Sequence, residues 1–275
     1  TDSTAAGRGL TQTAFQQLQD IALGPDGSLF VLEAFGGIVR RFAPDGRDTI
    51  IVGLGSPSDA ALGALQPTDL AIGPDGQVYV TSSFAQQVLR FSPDGRQWAT
   101  VVGGGTAAAE TGTRAVDASV RGCGGLCFDR DDRLIVAEGK RNSGEEPGEG
   151  RILRVEADGR LTKLPTPWDG KAALAGEKFR EVLALGARAD GTLFVLEDRE
   201  DALYRLDPGA SAWTQVAQGL AVTRVSDLLA LPNGDVLITE GAEPGDEVAR
   251  YGVTRVKPDG TLVPEAGGDQ PGSDV

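Results

Sequence analysis

Histidine and methionine are absent from the 275 residues, and cysteine occurs twice. Without histidine, the chain can form no Ser-His-Asp triad, no Cys-His pair and no histidine-ligated metal site. Cys123 and Cys127 are separated by three residues, which is not the CxxC spacing of a redox motif. The sequence leaves open whether these residues are two free thiols or form a local disulfide.

Positive charge is also scarce: 26 Lys and Arg stand against 40 Asp and Glu, which gives a net charge of −14. Proteins that bind nucleic acid or anionic membranes need a basic surface for phosphate groups. No apolar run is long enough to span a bilayer. We therefore expect no nucleic-acid partner and no membrane insertion, whereas the acidic surface suits cations or basic partners.

The chain repeats itself. The stretch LQDIALGPDGSLFVLEAFGGIVRRFAPDGR, residues 18–47, returns as PTDLAIGPDGQVYVTSSFAQQVLRFSPDGR, residues 67–96. Weaker copies begin at Gly124, Glu181 and Asp227. Successive copies start 46 to 57 residues apart when they are aligned on the following anchors: Asp20, Asp69, Gly125, Val182 and Leu228.

Each copy predicts four short antiparallel strands. An apolar run is followed by a turn such as Pro25-Asp26-Gly27 or Asn233-Gly234, in which the Asp or Asn and the Gly after it tolerate the positive φ of tight turns. An alternating strand, a loop, a third strand, a second turn and a weaker fourth strand follow. Four strands at this period are typical of a propeller blade. The prediction is an all-β β-propeller with five blades, and the alternative is six blades of which one is degenerate.

The repeats also define the domain boundaries. We predict a single propeller domain over residues 16–265 and a C-terminal tail over 266–275. Residues 1–15 are expected to be a linker or a closing segment. In the second case the stretch LTQTAF, residues 10–15, would add a strand to the last blade and so close the ring.

The pattern of apolar run, Pro-Asp-Gly, Val-Tyr-Val, Arg-Phe and Pro-Asp-Gly resembles the NHL-repeat family of β-propellers over most of residues 16–265. The resemblance implies the fold, but the family includes protein-binding, RNA-binding, sensor and enzymatic members. A more distant architectural similarity is to gluconolactonase-like and strictosidine-synthase-like propellers. In the lactonases a divalent cation sits at the channel mouth beside catalytic carboxylates. Their early Glu-Gly-Pro is not found here, so no residue role is transferred.

Acidic residues recur where the repeat places the mouth of the central channel. The second strand of each unit ends at one of the following residues: Glu33, Ser82, Glu138, Glu197 and Glu240. At or next to the start of the first strand lie Asp20, Asp69, Glu181 and Asp227. The carboxylates either cap loops by accepting backbone N–H bonds or gather oxygen ligands for Ca²⁺. The candidate calcium ligands are Glu33, Glu138, Glu197 and Glu240, while Ser82 and Gly125 break the symmetry.

Two other features repeat. Each third strand carries one arginine, which is expected to cover apolar strand surface or to pair with a carboxylate; these are Arg41, Arg90, Arg154, Arg205 and Arg255. Two long acidic loops, Glu138–Gly150 and Glu240–Gly252, lie on the channel-mouth side. They are either binding loops for cations and basic partners or solvated connections.

Regular repetition without a unique catalytic constellation favours a non-enzymatic module that binds a protein or a small-molecule ligand. We expect it to be extracellular or part of a larger surface or sensor protein, with a cytoplasmic location as the alternative. The alternative function is a calcium-dependent lactonase- or esterase-like hydrolase, or a lyase, that uses the carboxylates of the channel mouth.

Overall fold

The computed structural model describes most of the chain, namely residues 15, 18–33, 36–53, 67–82, 84–138, 150–168, 182–197, 201–220, 225–240 and 250–269. Within these residues, five four-stranded antiparallel sheets follow one another, and each sheet holds its strands in sequence order. The innermost strands of successive sheets pack side by side. The five sheets are the blades of a β-propeller, which confirms the predicted fold class and blade number.

In each blade the first strand lies nearest the channel and the fourth strand lies outermost. Blade 1 contains β1 (Leu18–Leu23), β2 (Leu29–Glu33), β3 (Ile38–Phe42) and β4 (Asp48–Val52). Blade 2 contains β5 (Pro67–Ile72), β6 (Val78–Ser82), β7 (Gln87–Phe91) and β8 (Trp98–Gly103). The linker after blade 2 forms a small parallel pair from β9 (Ala107–Ala108) and β10 (Ala118–Ser119), with a 3₁₀ turn at Ala115–Asp117.

The remaining blades follow the same order. Blade 3 contains β11 (Cys123–Phe128), β12 (Leu134–Glu138), β13 (Ile152–Val155) and β14 (Leu161–Leu164). Blade 4 contains β15 (Val182–Ala187), β16 (Leu193–Glu197), β17 (Ala202–Leu206) and β18 (Thr214–Ala217). Blade 5 contains β19 (Val225–Ala230), β20 (Val236–Glu240), β21 (Arg250–Val256) and β22 (Leu262–Asp269). The last strand thus extends past the domain end expected at residue 265.

The turns between first and second strands, and those between third and fourth strands, are built by side-chain caps. In blade 1, Asp26 Oδ1 accepts the Ser28 N–H at 3.0 Å, and Gly27 between them has φ +79°. The same bond from an Asp or Asn to the second residue after it recurs at Asp45, Asp75, Asp94, Asp158, Asp190, Asn233 and Asp259. A carboxylate or amide oxygen that accepts this N–H fixes the turn, as the repeated Asp-Gly and Asn-Gly pairs predict.

Blades pack face to face through alternating side chains. Phe30 and Leu32 of β2, for example, point to blade 2 and meet Val78 and Val80 of β6. Within the described residues, buried apolar side chains form four such clusters, one at each interface between consecutive blades from 1 to 5. The interface between blades 5 and 1 carries none of these clusters.

An apolar cleft of about 620 Å³ lies between blades 5 and 1, and we call it the seam. Its walls are Ile21, Leu23 and Leu29 on blade 1 and Leu229, Leu237 and Val253 on blade 5. The inner strands β1 and β19 contact each other only sparsely. As far as the described residues show, the ring of blades is therefore packed around four interfaces and open at the fifth.

Several expectations fall outside the described part of the chain. These are the closing strand at residues 10–15, except for Phe15, and most of the acidic loops, at 139–149 and 241–249. Phe15 packs edge-on against Phe42 of β3, with ring centroids 5.9 Å apart. In the described residues, no helix has the length and apolar character needed to cross a membrane.

Candidate functional site

Strand pairing places the predicted acidic residues at one mouth of the channel. Leu18 at the start of β1 pairs with Glu33 at the end of β2, and Cys123 pairs with Glu138 in the same way. The equivalent residues in the other blades are Ser82, Glu197 and Glu240. Each first strand contains a register shift at this point.

Two of the aspartates connect blades. Asp20 Oδ2 accepts the N–H of Leu70, in the first strand of blade 2, at 2.7 Å. Its Oδ1 accepts the N–H of Ile21 in its own strand at 2.6 Å. Asp69 of blade 2 accepts the N–H of Leu126 in blade 3. Each of these carboxylates therefore accepts a hydrogen bond from the inner strand of the next blade.

Blades 3 and 4 carry no aspartate at this register, and in blade 3 close packing takes its place. Gly125 and Ala184 occupy the register of Asp20 and Asp69. A Cβ atom on Gly125 would lie 2.8 Å from Leu185 Cβ and 3.2 Å from Leu185 N. Gly125 breaks the symmetry of the repeat because the inner strand of blade 4 approaches too closely for a side chain.

Asp227 holds the same register in blade 5. Its Oδ1 accepts the Leu228 N–H at 2.7 Å, and its own N–H donates to Thr239 Oγ1 at 3.0 Å. On blade 1 the corresponding N–H is that of Ile21, which donates to Asp20 in its own strand. The side chain of Asp227 lies on the seam side of β19, as does Leu229 two residues later.

Glu138 lies in a buried ion pair. Its side chain is fully buried, and Arg151 donates to both carboxylate oxygens, at 2.6 and 2.7 Å. The N–H of Arg121 donates to Oε1 at 2.8 Å. Such a bidentate, charge-assisted arrangement uses the carboxylate to fix the linker and the third strand around it.

Glu33 is paired in a related way, because the Arg40 Nε donates to its Oε1 at 2.6 Å. Ser82, which replaces Glu in blade 2, accepts the Ala85 N–H at 3.0 Å and caps the following loop. Glu197 is buried. Glu181 and the side chain of Glu240 lie outside what the structure describes.

No group of three or more acidic or cysteine side chains among the described residues could hold a metal ion. Glu33 forms an ion pair with Arg40, and Glu138 forms one with Arg151. The calcium site stays a prediction, and the surroundings of these two residues do not support it.

The repeated arginines lie beside acidic or aromatic groups near the turns. Arg41 donates to Asp26 at 2.5 Å and to Ser28 at 3.0 Å, and Arg255 donates to Asp235 at 2.7 Å. The remaining three pair as follows: Arg154 with Glu156, Arg205 with Asp207 and Arg90 with Tyr79. The expected pairing with carboxylates is thus present at four of the five described positions.

Cys123 and Cys127 are free thiols on β11. Burial, followed by the charge of Glu138, raises the pKa of Cys123 to about 12. Burial also raises the pKa of Cys127. A nucleophilic cysteine needs the opposite shift, so neither thiol is prepared for catalysis.

The sequence did not identify the arginine partners of the buried glutamates. Arg40 lies within β3 opposite Val31, whereas Arg151 directly precedes β13, so no column of the repeat contains both. Thr239, which binds both the N–H and the C=O of Asp227, was also missed. Its only signal is a threonine in blades 2 and 5 where the other blades carry Leu or Ala.

No family model matches the chain, and no curated protein does. Solved propellers do match. Virginiamycin B lyase from Staphylococcus aureus has a TM-score of 0.58 and 15% identity, over 90% of this chain and 69% of that one. A gluconolactonase from Xanthomonas campestris has a TM-score of 0.61 and 14% identity, over 95% and 77%.

A chain of a nidogen/laminin complex has a TM-score of 0.61 and 14% identity, over 87% of this chain and 75% of that one. At these identities the likeness shows the fold alone. The three propellers include a lyase, a lactonase and a protein in a protein–protein complex, so the shared fold does not select among these functions.

Proposed function

We propose that this propeller is a non-enzymatic, NHL-type module that binds a protein or a small-molecule ligand, and that it acts outside the cell or within a larger surface or sensor protein. The observation that carries the proposal is the use of the channel-mouth carboxylates as connectors. Asp20 and Asp69 join blades, and Glu138 is locked to Arg151.

The energetics of Glu138 support this proposal. For Glu138 to bind a cation or act as a general base, it would have to leave Arg151 as an uncompensated buried charge. Breaking a buried ion pair in this way typically costs about 3–5 kcal/mol. The Glu138 carboxylate is therefore better suited to stabilising the fold than to binding a cation or acting as a base.

The nidogen/laminin neighbour supports binding by analogy only, because it was solved in a protein complex. The neighbours that are a lyase and a lactonase favour the second candidate function, a calcium-dependent hydrolase or lyase. Glu197 is one of the buried acids at the channel mouth, and its replacement tests such a reaction.

The first experiment separates binding from turnover. The purified protein is immobilised, bound proteins and metabolites are captured, and each binder is tested again in pure form by isothermal titration. Mass spectrometry then compares the binder before and after a long incubation. We expect saturable binding with an unchanged mass. A mass change that is lost in Glu197→Gln would overturn the proposal in favour of catalysis.

The second experiment tests the cation. Thermal unfolding is followed in EDTA and then with added Ca²⁺, since a ligand of the native state alone must raise the midpoint. We expect the same midpoint in both. A calcium-dependent rise that disappears in Glu197→Gln, followed by turnover of lactones or esters, would establish the second candidate function instead.

A further inference from the structure

The repeated arginine of blade 2 differs from its equivalents. The other four are partly buried, and each forms an ion pair with a carboxylate of its own blade; these are Arg41, Arg154, Arg205 and Arg255. Arg90 is exposed and forms no ion pair with any described residue. It donates instead to the hydroxyl of Tyr79, its partner across β6 and β7. In the other blades the residue opposite the arginine is apolar and has no such hydroxyl.

A cavity of about 510 Å³ lies beside Arg90, between blades 2 and 3 and on the side of the propeller that carries the Asp-Gly turns. Tyr79 and Phe128 line it, with their ring centroids 5.0 Å apart. The linker after blade 2 contributes Arg114 and Val116 to another part of the wall. The cavity therefore combines an aromatic surface with a guanidinium group that no carboxylate neutralises.

Blade 3 contributes a second departure from the repeat. Asp132 occupies the turn position at which the other blades carry glycine, namely Gly27, Gly76, Gly191 and Gly234. Its φ is +60°, a conformation that glycine adopts more readily than other residues do. The turn does not need this carboxylate, because Asp129 Oδ1 accepts the N–H groups of Asp131 and Arg133. The Asp132 side chain has no partner among the described residues, and Asp132 lines the cavity.

The other charged groups of the cavity wall are neutralised within the protein. They form the following ion pairs: Arg133 with Asp131 and Glu156, Arg114 with Asp117, and Asp158 with Arg160. Among the described residues of the wall, one cation and one anion remain without an ion pair, and these are Arg90 and Asp132. A ligand with one charge of each sign complements this wall, whereas a singly charged ligand leaves one of the two groups unmatched.

We propose that this cavity binds a small zwitterion with an apolar body, such as an aromatic amino acid. The ligand carboxylate bonds to Arg90, the ammonium group lies beside Asp132, and the side chain packs on Tyr79 and Phe128. The inference rests on the proposed binding function and gives it a site and a ligand class. The volume is that of a site for a small organic molecule, in which apolar walls are combined with a few polar groups that orient the ligand.

The test compares three probes that share a phenyl ring and differ in charge. They are L-phenylalanine, 3-phenylpropionate, which lacks the ammonium group, and phenethylamine, which lacks the carboxylate. Binding to the whole chain is measured by titration calorimetry at pH 7. We expect one phenylalanine per chain, bound about tenfold or more tightly than either singly charged probe, because each lost charge-assisted bond costs at least about that factor.

Two variants assign the charged groups. Arg90→Gln should reduce the affinity for phenylalanine to that for phenethylamine. Asp132→Gly should reduce it to that for phenylpropionate, and it restores the glycine of the other blades, so the turn should be kept. Arg96→Gln removes another exposed arginine of blade 2 that lies outside the cavity wall, and this control should bind phenylalanine as the parent does.

Three results would overturn the inference. The first is an absence of saturable phenylalanine binding. The second is a singly charged probe that binds as tightly as phenylalanine, and the third is an unchanged affinity for phenylalanine in Arg90→Gln or Asp132→Gly. Each of these results leaves the proposed binding function intact, because that function fails only if a captured partner is chemically changed.

Discussion

At the scale of single residues, the turn aspartates are held in their charged form. The Ser28 N–H, then the Ser28 hydroxyl and then Arg41, lower the pKa of Asp26 from 3.8 to about 2. Backbone or side-chain hydrogen bonds also lower the pKa values of Asp45, Asp94, Asp190 and Asp259. The folded protein therefore releases these protons more readily than the unfolded chain does.

This difference predicts loss of stability in acid. A depressed folded-state pKa contributes stability that is fully present above the unfolded value, near pH 4, and is lost as the pH falls towards 2. Urea midpoints measured from pH 5 to pH 2 should decline in this window. Asp26→Asn, Asp45→Asn and Asp94→Asn together should flatten the decline, because Asn keeps the turn, as Asn233 does in blade 5. If the urea midpoints of parent and variant decline equally with pH, the loss of stability in acid is not caused by these turn aspartates.

The two buried ion pairs predict different losses of stability when Glu138 or Glu33 is neutralised. Glu138→Gln leaves the buried Arg151 without its counter-charge, so it should lower the free energy of unfolding by about 3 kcal/mol or more. Glu33→Gln should cost less, because Arg40 donates to Glu33 Oε1, whereas Arg151 donates to both oxygens of Glu138 and also holds the C=O groups of Ala109 and Ser119. Urea unfolding at pH 7 measures the loss of stability in both variants. If Glu33→Gln is equally costly, the bidentate bonding of Glu138 is not the cause of the loss.

At the scale of strands, Gly125 tests whether broken symmetry reflects function or packing. Gly125→Asp restores the residue that blades 1, 2 and 5 carry, but the side chain would meet Leu185. Overpacking of this kind costs about 1–3 kcal/mol, and Gly125→Ala should already show it. Thermal unfolding gives the answer, with Cys127→Ala on the same strand as the control. An unchanged midpoint in Gly125→Ala would reject the packing explanation.

The linker after blade 2 forms hydrogen bonds with β14, the outermost strand of blade 3. The Gly112 N–H donates to the Leu161 C=O, and the Leu161 N–H donates to the Thr113 C=O, each at 2.8 Å. The Leu161 amide should therefore exchange with solvent as slowly as amides inside blade 3. Hydrogen exchange followed by NMR tests this, and fast exchange at Leu161 would mean that the linker does not cover the edge.

Local sequence patterns were sufficient to predict the strands and turns, because alternation and Asp-Gly pairs act over a few residues. They were insufficient to predict the roles of the residues at the channel mouth. The role of Asp20 depends on Leu70, and that of Glu138 depends on Arg151, which no repeat column marks. Ile21 and Leu23 have the same pattern as buried residues of other blades. Their exposure depends on how blades 1 and 5 meet, which no local pattern encodes.

At the scale of the whole molecule, the open seam predicts uneven stability. Blade 3 packs against a core cluster on both sides, whereas blades 1 and 5 have one each. Amides bonded between β1 and β2 should open with a lower free energy than those bonded between β11 and β12. Native-state hydrogen exchange under low denaturant measures these energies. Equal values throughout would mean that the ring opens only as a unit.

The open seam also bears on how such a chain can change its length over generations. A closed ring admits only the number of blades that completes its circle, so a duplicated unit must displace every interface. Here a unit of 46 to 57 residues placed at the seam would disturb none of the four packed interfaces. It would meet two leucine-lined faces that already match the alternation of its own strands. Gene duplication could therefore lengthen this propeller by one blade without first breaking it.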